Sequence, residues 1–134
     1  MTTLLERARR ATVPSEHDEQ VRLFQWAELA AGRYPELREM FAVPNGGHRH
    51  KATAGKLRAE GVKAGVEDVM LLVPRGKYHG LLIEMKRADS HPSDTKLAQV
   101  AWHRVHEARG YCVWVCRGFE EARRVVMDYL SMGD

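Results

Sequence analysis

The sequence contains no long apolar run and very little cysteine. Its longest apolar stretches, Val69 to Val73 and Leu81 to Ile83, are strand-sized, whereas a membrane-crossing helix needs about 18 to 20 apolar residues. The segment from Met1 to Arg10 is charged and lacks the apolar core of a signal peptide, so we expect a cytoplasmic protein without a membrane partner. The 2 cysteines, Cys112 and Cys116, lie on a predicted strand at a separation of about 13 Å, which predicts no disulfide between them.

The charge is mildly basic and unevenly distributed. The 134 residues suit one domain, with 44% hydrophobic and 29% charged residues, a net charge of +3 and a pI near 9.0. Basic residues concentrate between positions 49 and 63, where a solvated polar face is the plain alternative to a surface that contacts backbone phosphates. The residues predicted to contact phosphates are His48, Arg49, His50, Lys51 and Lys56.

Apolar periodicity and helix-boundary residues predict an alternating α/β chain. Residues 1–13 form an arm that is frayed or a short helix, and Ser15 caps a helix that runs to about Ala31. The next predicted elements are a strand at 41–43, a helix at 53–60, strands at 69–73 and 81–86, a helix after 92–94, a strand at 111–116 and a helix at 119–130. These elements predict a single domain over 14–134, with helices on the faces of a mixed β-sheet.

Several core positions follow from the same patterns. The helix after residue 94 should bury an apolar face made of Leu97, Val100, Ala101, Val105 and Ala108. Trp102 and Trp114 are predicted core residues rather than platforms on which bases stack.

The two central strands form a predicted hairpin that gathers charged residues at one end. With a turn centred near Lys77, Asp68 lies opposite Lys86 and Met70 opposite Glu84, and alternation puts Asp68, Glu84 and Lys86 on one face. Two carboxylates that close repel unless a cation separates them, and Mg²⁺ prefers oxygen ligands. Lys86 would then orient or activate a water, or stabilise charge on a phosphate. For the Glu84-x-Lys86 pattern alone, the alternative is an ordinary surface salt bridge.

Two histidine pairs have spacings at which both rings could face a metal. His48 and His50 alternate around Arg49, and His103 and His106 are three residues apart on a predicted helix. Neither pair has a third ligand at a fitting spacing, so no zinc site is predicted.

The ordered set of motifs resembles a nuclease family. Asp68 followed by Glu84-Met85-Lys86 is similar to the PD-(D/E)XK nuclease signature, and more specifically the chain resembles VRR-NUC (virus-type replication-repair nuclease) domains of the stand-alone phage or bacterial type. The resemblance runs from about residue 15 to 130. Its matching pieces are Ser15-Glu16, Pro44-Asn45-Gly46-Gly47, Gly61 to Asp68, Gly80 to Lys86, Gln99 and Gly110-Tyr111.

One position departs from the family pattern. The family usually has proline before the metal-binding aspartate, whereas this chain has Glu67. Because neighbours on a strand point to opposite faces, only one of Glu67 and Asp68 can join Glu84. We expect Asp68 there, since it matches the motif and shares the predicted face.

The resemblance implies a restriction-endonuclease-like fold and a metal-dependent DNA endonuclease. Asp68, Glu84 and the main-chain carbonyl of Met85 would hold Mg²⁺ or Mn²⁺, and Lys86 would be the catalytic lysine. Phosphodiester hydrolysis would be directed to branched DNA, such as four-way (Holliday) junctions, by a homodimer in a bacterium or a phage-infected host. The alternatives are a non-catalytic DNA-binding module with the same fold and a nuclease that acts on flap or linear DNA.

Two further residues receive catalytic roles through the resemblance. Glu16 would add a carboxylate to the metal site, and Glu19, in the same helical turn, is the rival for that role. A first-turn residue favoured by the helix dipole is the plain alternative for Glu16. Gln99 would lie near the site or face the DNA, and its alternative is a solvent-facing helix position.

Overall fold

The elements alternate between helix and strand in the predicted order. The computed structural model describes residues 3–44 and 51–133. Its elements are α1 (Leu4–Thr12), α2 (Glu16–Ala30), β1 (Met40–Ala42), α3 (Lys51–Ala59), β2 (Val69–Leu71), β3 (Leu81–Lys86), α4 (Leu97–Ala108), β4 (Cys112–Arg117) and α5 (Phe119–Leu130). Short 3-10 turns precede β1 and α4, at Pro35–Glu39 and Pro92–Asp94. The helical alternative for the N-terminal arm is therefore correct, and the α/β class is confirmed.

The strands form a mixed sheet in sequence order. Within the described residues the sheet has 4 strands, ordered β1-β2-β3-β4, with antiparallel pairing up to β3 and parallel pairing of β3 with β4. The parallel pair follows from α4, which carries the chain back across the sheet between them. The predicted hairpin and the predicted crossover are both confirmed.

The central strand β3 is buried on both faces. All six of its residues are buried, because helices cover the sheet on either side. Ile83 and Met85 point into the apolar core with Leu23 of α2 and Ala122 and Val126 of α5. The alternating residues Leu82, Glu84 and Lys86 therefore face the opposite side, toward α4.

The predicted orientation of α4 is wrong. Leu97 is 90% exposed and Val105 is 49% exposed, and Ala101 and Ala108 of the predicted apolar face are exposed as well. The buried residues of α4 are Gln99 and His103, which face the charged side chains of β3. Hydrogen bonds to buried carboxylates, rather than apolar contacts, thus determine which face of this helix points inward.

The position of β4 at the edge of the sheet explains why one predicted core residue is exposed. Trp114 is 51% exposed because β4 is the last strand of the sheet, so the prediction of a core residue is wrong there, whereas Trp102 is half-buried. Cys112 and Cys116 are both free, as predicted. Within the described ranges, no helix has both the length and the apolar character that crossing a membrane requires.

Candidate functional site

The hairpin places Asp68 at the end of β2, directly beside β3. Val69 pairs with Ile83, and the same register puts Asp68 opposite Glu84 rather than opposite Lys86 as predicted. The hairpin is centred one residue earlier than predicted, at Gly76, whose φ of +54° suits glycine in a turn. A shift of the centre by one residue moves each partner by two, so the three charged residues still share one face.

Asp68 is held by main-chain contacts beyond the last ladder pair. Its Oδ2 accepts a hydrogen bond from the amide of Met85 at 2.7 Å, and its carbonyl accepts one from the amide of Val43 at 2.8 Å. Asp68 directly precedes β2, and its side chain accepts the hydrogen bond that the residue before it would accept if the strand continued beside β3. The carboxylate is fixed against the strand that carries Glu84.

A glycine sets the path of the loop that leads to Asp68. Gly65 has φ +88°, and a Cβ there would lie 2.9 Å from the main-chain carbon of Ala98 in the first turn of α4. Only glycine combines this backbone conformation with such a close approach. The loop and the start of α4 are consequently packed together, which puts Asp68 and Gln99 on the same cleft.

Glu84 is a buried carboxyl group in an unusual environment. Its residue is 2% exposed, and burial, followed by the neighbouring Asp68, raises the pKa of Glu84 to about 10, although Lys86 works in the opposite direction. Without a cation, Glu84 therefore retains its proton at neutral pH. A carboxyl group that keeps its proton beside a second carboxyl group forms a place where a divalent cation can replace that proton.

A chain of hydrogen bonds joins the lysine to this carboxyl group. Lys86 Nζ donates to Gln99 Oε1 at 3.0 Å, and Gln99 Nε2 donates to Glu84 Oε2 at 3.1 Å. The same Oε1 accepts the main-chain amide of Lys96 at 2.9 Å, which fixes the orientation of the amide group. Lys86 is buried, so the alternative of a surface salt bridge does not hold. Gln99 is buried as well, so the alternative of a solvent-facing helix position does not hold either.

Histidines of α4 continue this polar face. His106 Nδ1 is 2.7 Å from Oε1 of the fully buried Glu67, and His103 Nε2 is 3.9 Å from Oε1 of Glu84. Burial lowers the pKa of His103. Gln99, His103 and His106 thus form one polar stripe on α4, which we call the α4 polar stripe, and it faces the carboxyl groups of the hairpin.

The two glutamates of the first turn of α2 lie in different surroundings. Glu19 is buried, and its Oε2 accepts a hydrogen bond from the main-chain amide of Phe119 at the start of α5, while Oε1 contacts Arg22 Nη1 at 3.3 Å. Glu16 is exposed, lines the cleft in front of Asp68, and contributes to the raised pKa of Glu84. Of the two rivals, Glu16 is the one that faces the site.

Three basic residues that were not assigned to the site from the sequence line the cleft, together with acidic residues such as Asp89 and Asp94. Arg58 of α3, Arg87 after β3 and Lys96 before α4 all line it. Arg87 directly follows Lys86 in the sequence, and this adjacency could have indicated that Arg87 lies at the site. Lys56 is exposed on α3 outside the lining, the side chain of Lys51 is not described, and His48, Arg49 and His50 lie outside the described residues.

The donor set fits a hard divalent cation. Asp68 and Glu84 supply two carboxylates, Met85 lines the same cleft, and Glu84 Oε1 is buried without a hydrogen-bond partner among the described residues. No three acidic, histidine or cysteine side chains of residues 3–44 and 51–133 are close enough to form a ligand set on their own, so Glu16 stands apart from the pair. Mg²⁺ usually takes one or two carboxylates and completes its shell with water and phosphate oxygens, so the pair suffices.

Comparison with known proteins agrees with the fold of this chain. The chain matches no model of a protein family, and no curated protein is similar to it in sequence. Its structure is similar to a solved structure described as a VRR_NUC domain protein, with a TM-score of 0.71 and 25% identity over 92% of this chain and 93% of the other. The chain therefore has the fold of a VRR-NUC nuclease domain, and the expected resemblance is confirmed.

Proposed function

We propose that this chain is a Mg²⁺- or Mn²⁺-dependent endodeoxyribonuclease that hydrolyses phosphodiester bonds in branched DNA. The observation that supports it is the buried connection from Lys86 through Gln99 to Glu84, which ends beside Asp68 in a cleft that basic residues also line. An ammonium held next to two carboxyl groups on one face is a costly arrangement for stability alone. Its use in phosphodiester chemistry accounts for that cost.

Each residue of the site has a distinct role in this proposal. Asp68, Glu84 and the Met85 carbonyl hold the cation, with Glu16 positioned at the rim of the cleft. The bound cation supplies Lewis-acid stabilisation of charge on the phosphate and lowers the pKa of a bound water. Lys86 Nζ orients the attacking water or stabilises the negative charge that develops on the phosphate oxygens.

Gln99 has a positioning role. Its amide oxygen holds the Lys86 ammonium while its amide N–H groups hold Glu84, so the two charged groups keep a fixed separation. Without this amide, Lys86 could pair directly with Glu84 and both would be lost to the reaction. Gln99 therefore keeps the lysine available for the phosphate.

Recognition of DNA in this proposal depends on phosphate contacts and shape. Arg58, Arg87 and Lys96 line the cleft at positions suited to backbone phosphates. Cutting both strands of a four-way junction symmetrically needs two sites, so we propose a homodimer with two-fold symmetry. Phosphate contacts of this kind make binding weaken steeply as salt is raised.

The experiment offers labelled four-way junctions, flaps, linear duplex and single strands to the protein with Mg²⁺ or Mn²⁺. Wild type should cut the junction, whereas Asp68→Ala and Lys86→Ala should bind it without cutting. Equal cutting by all three proteins contradicts the assigned site. Binding without cutting by wild type favours a non-catalytic DNA-binding module, and equal cutting of flap or linear DNA removes the junction preference. Light scattering of the same samples tests the dimer.

A further inference from the structure

The two carboxyl oxygens of Glu84 have different surroundings. Oε2 accepts a hydrogen bond from Gln99 Nε2 at 3.1 Å, whereas Oε1 is buried and has no hydrogen-bond partner within the described residues. Glu84 is ionised once a cation has replaced its proton, and a buried oxygen of an ionised carboxylate is unfavourable unless a donor or the cation reaches it. The Gln99 contact alone therefore leaves half of this carboxyl group unsatisfied.

The atom that faces Oε1 is a ring nitrogen of His103. His103 Nε2 lies 3.9 Å away, the residue is 8% exposed, and this nitrogen is also without a hydrogen-bond partner in the described parts of the chain. A neutral imidazole has one N–H donor, and the carboxylate oxygen is an acceptor. A movement of about 1 Å would bring the two atoms to hydrogen-bond distance.

The spacing of Gln99 and His103 on α4 directs both side chains toward Glu84. His103 follows Gln99 by one helical turn, so both side chains leave α4 on the same face and reach the same carboxyl group. His106, a further turn along the α4 polar stripe, already has its own partner in Glu67 at 2.7 Å. Among the described residues, His103 Nε2 and Glu84 Oε1 are thus two buried atoms without hydrogen-bond partners, 3.9 Å apart, on facing elements.

We propose that His103 is a positioning residue for Glu84: its Nε2–H donates to Oε1, and together with Gln99 it fixes the orientation in which Glu84 binds the cation. This inference rests on the proposed function, because it concerns the carboxylate that holds the metal there. Donors that orient a ligating group keep it aligned and lower the cost of ordering it when the cation arrives.

The test measures Mn²⁺ binding without DNA, by calorimetric titration of the whole chain. His103→Phe keeps a planar ring but removes the donor, and should weaken Mn²⁺ binding by about 10- to 100-fold, the usual effect of losing such a partner. His103→Gln returns an N–H donor and should recover most of the affinity. The Mg²⁺ concentration for half-maximal cleavage of the junction should rise in parallel for His103→Phe.

His106→Phe is the matched control. It removes the half-buried histidine of the same helix face, whose hydrogen-bond partner is Glu67, so it should lower stability while Mn²⁺ affinity stays near that of wild type. Unchanged Mn²⁺ affinity in His103→Phe, or an equal loss in His106→Phe, overturns the role of His103 while the nuclease proposal stands. A wild type that neither binds Mn²⁺ nor cleaves overturns the proposed function, and this inference with it.

A measurement on wild type alone keeps the proposal testable if the variants do not fold. Ring ¹⁵N NMR distinguishes protonated from unprotonated imidazole nitrogens. The proposal requires a protonated Nε2 on His103, with a chemical shift that moves when Mg²⁺ is added. An unprotonated Nε2 in the Mg²⁺-loaded protein overturns it.

Discussion

Glu67 and Asp68 are consecutive residues whose carboxyl groups are held on opposite sides of the same backbone. Glu67 Oε1 is 2.7 Å from His106 Nδ1 beneath α4, whereas Asp68 Oδ2 accepts the Met85 amide at 2.7 Å beside β3. One of them fastens the loop to a helix, and the other lies in the cleft. The departure from the family pattern at position 67 thus adds an anchor behind the site.

That anchor should be measurable as stability. Glu67→Leu leaves His106 Nδ1 buried without its partner, and we expect a loss of about 1–3 kcal/mol in the free energy of unfolding. Urea denaturation measures it, and the double variant Glu67→Leu/His106→Leu should lose less than the sum of the single changes. Glu107→Ala, at an exposed position of the same helix, is the control and should change little. Stability equal to wild type in Glu67→Leu would show that the contact contributes nothing.

The junction between α2 and α5 depends on a glycine. Gly118 has φ +86°, and a Cβ there would overlap Glu19 Oε2, the atom that accepts the Phe119 amide. Gly118→Ala should therefore lower the free energy of unfolding by about 1–3 kcal/mol. Gly32→Ala is the control, because nothing lies within 4 Å of the added carbon. Thermal unfolding of both variants checks this, and equal melting temperatures would refute the steric argument.

Substitution of the two first-turn glutamates should separate their roles. Glu19→Gln weakens the contact to the start of α5 and should lower stability, with cleavage by the remaining folded protein close to normal. Glu16→Gln, at an exposed position that lines the cleft, should leave the melting temperature unchanged and reduce cleavage by about 10-fold or more. Melting curves and cleavage rates are compared for the pair. The reverse pattern would return the catalytic role to Glu19.

The buried carboxyl group predicts how stability changes with pH in the absence of metal. The pKa of Glu84 is about 10 in the folded protein against an ordinary value of 4.5, so the folded state holds a proton that the unfolded chain releases. This contribution is complete below pH 4.5 and is lost as the pH rises toward 10. The free energy of unfolding should then fall with pH, by at most about 1.4 kcal/mol for each pH unit.

Urea denaturation in the presence of a chelator, at pH 6 to 9, measures this slope. Glu84→Gln carries no titrating proton and should show a smaller slope than wild type. Mg²⁺ should also flatten the wild-type slope, because the cation then replaces the proton. Parallel slopes in wild type and Glu84→Gln would contradict the raised pKa.

Sequence reasoning placed Asp68, Glu84 and Lys86 on one face correctly, because alternation along a strand is insensitive to an even error in register. The true pairing puts Asp68 opposite Glu84 instead of Lys86, yet the facing of all three residues is unchanged. The exact register depends on the conformation of the turn around Gly76, which becomes visible only in the folded hairpin. Short-range sequence patterns thus predict which face of the sheet a side chain lies on more reliably than which residue it pairs with on the neighbouring strand.

The orientation of α4 could not be obtained in the same way. Hydrophobic periodicity favours Leu97 and Val105 as buried residues, whereas the structure buries Gln99 and His103. The reason lies on another element: Glu84 and Glu67 are buried opposite this helix and require hydrogen-bond partners. A local pattern carries no information about such distant requirements.

Two of the three residues of the α4 polar stripe, Gln99 and His103, both face the sheet and have a role in the proposed reaction. In most helices, buried apolar residues hold the element in place and exposed polar residues can be substituted freely. In α4 the buried face is polar, and the exposed face that tolerates substitution carries the apolar residues Leu97 and Val105. Adaptation of the domain to a new substrate by replacing Gln99 or His103 would also loosen its architecture. Substitutions on this face of α4 that change the activity should therefore also lower the stability, and compensating changes would be needed elsewhere in the fold.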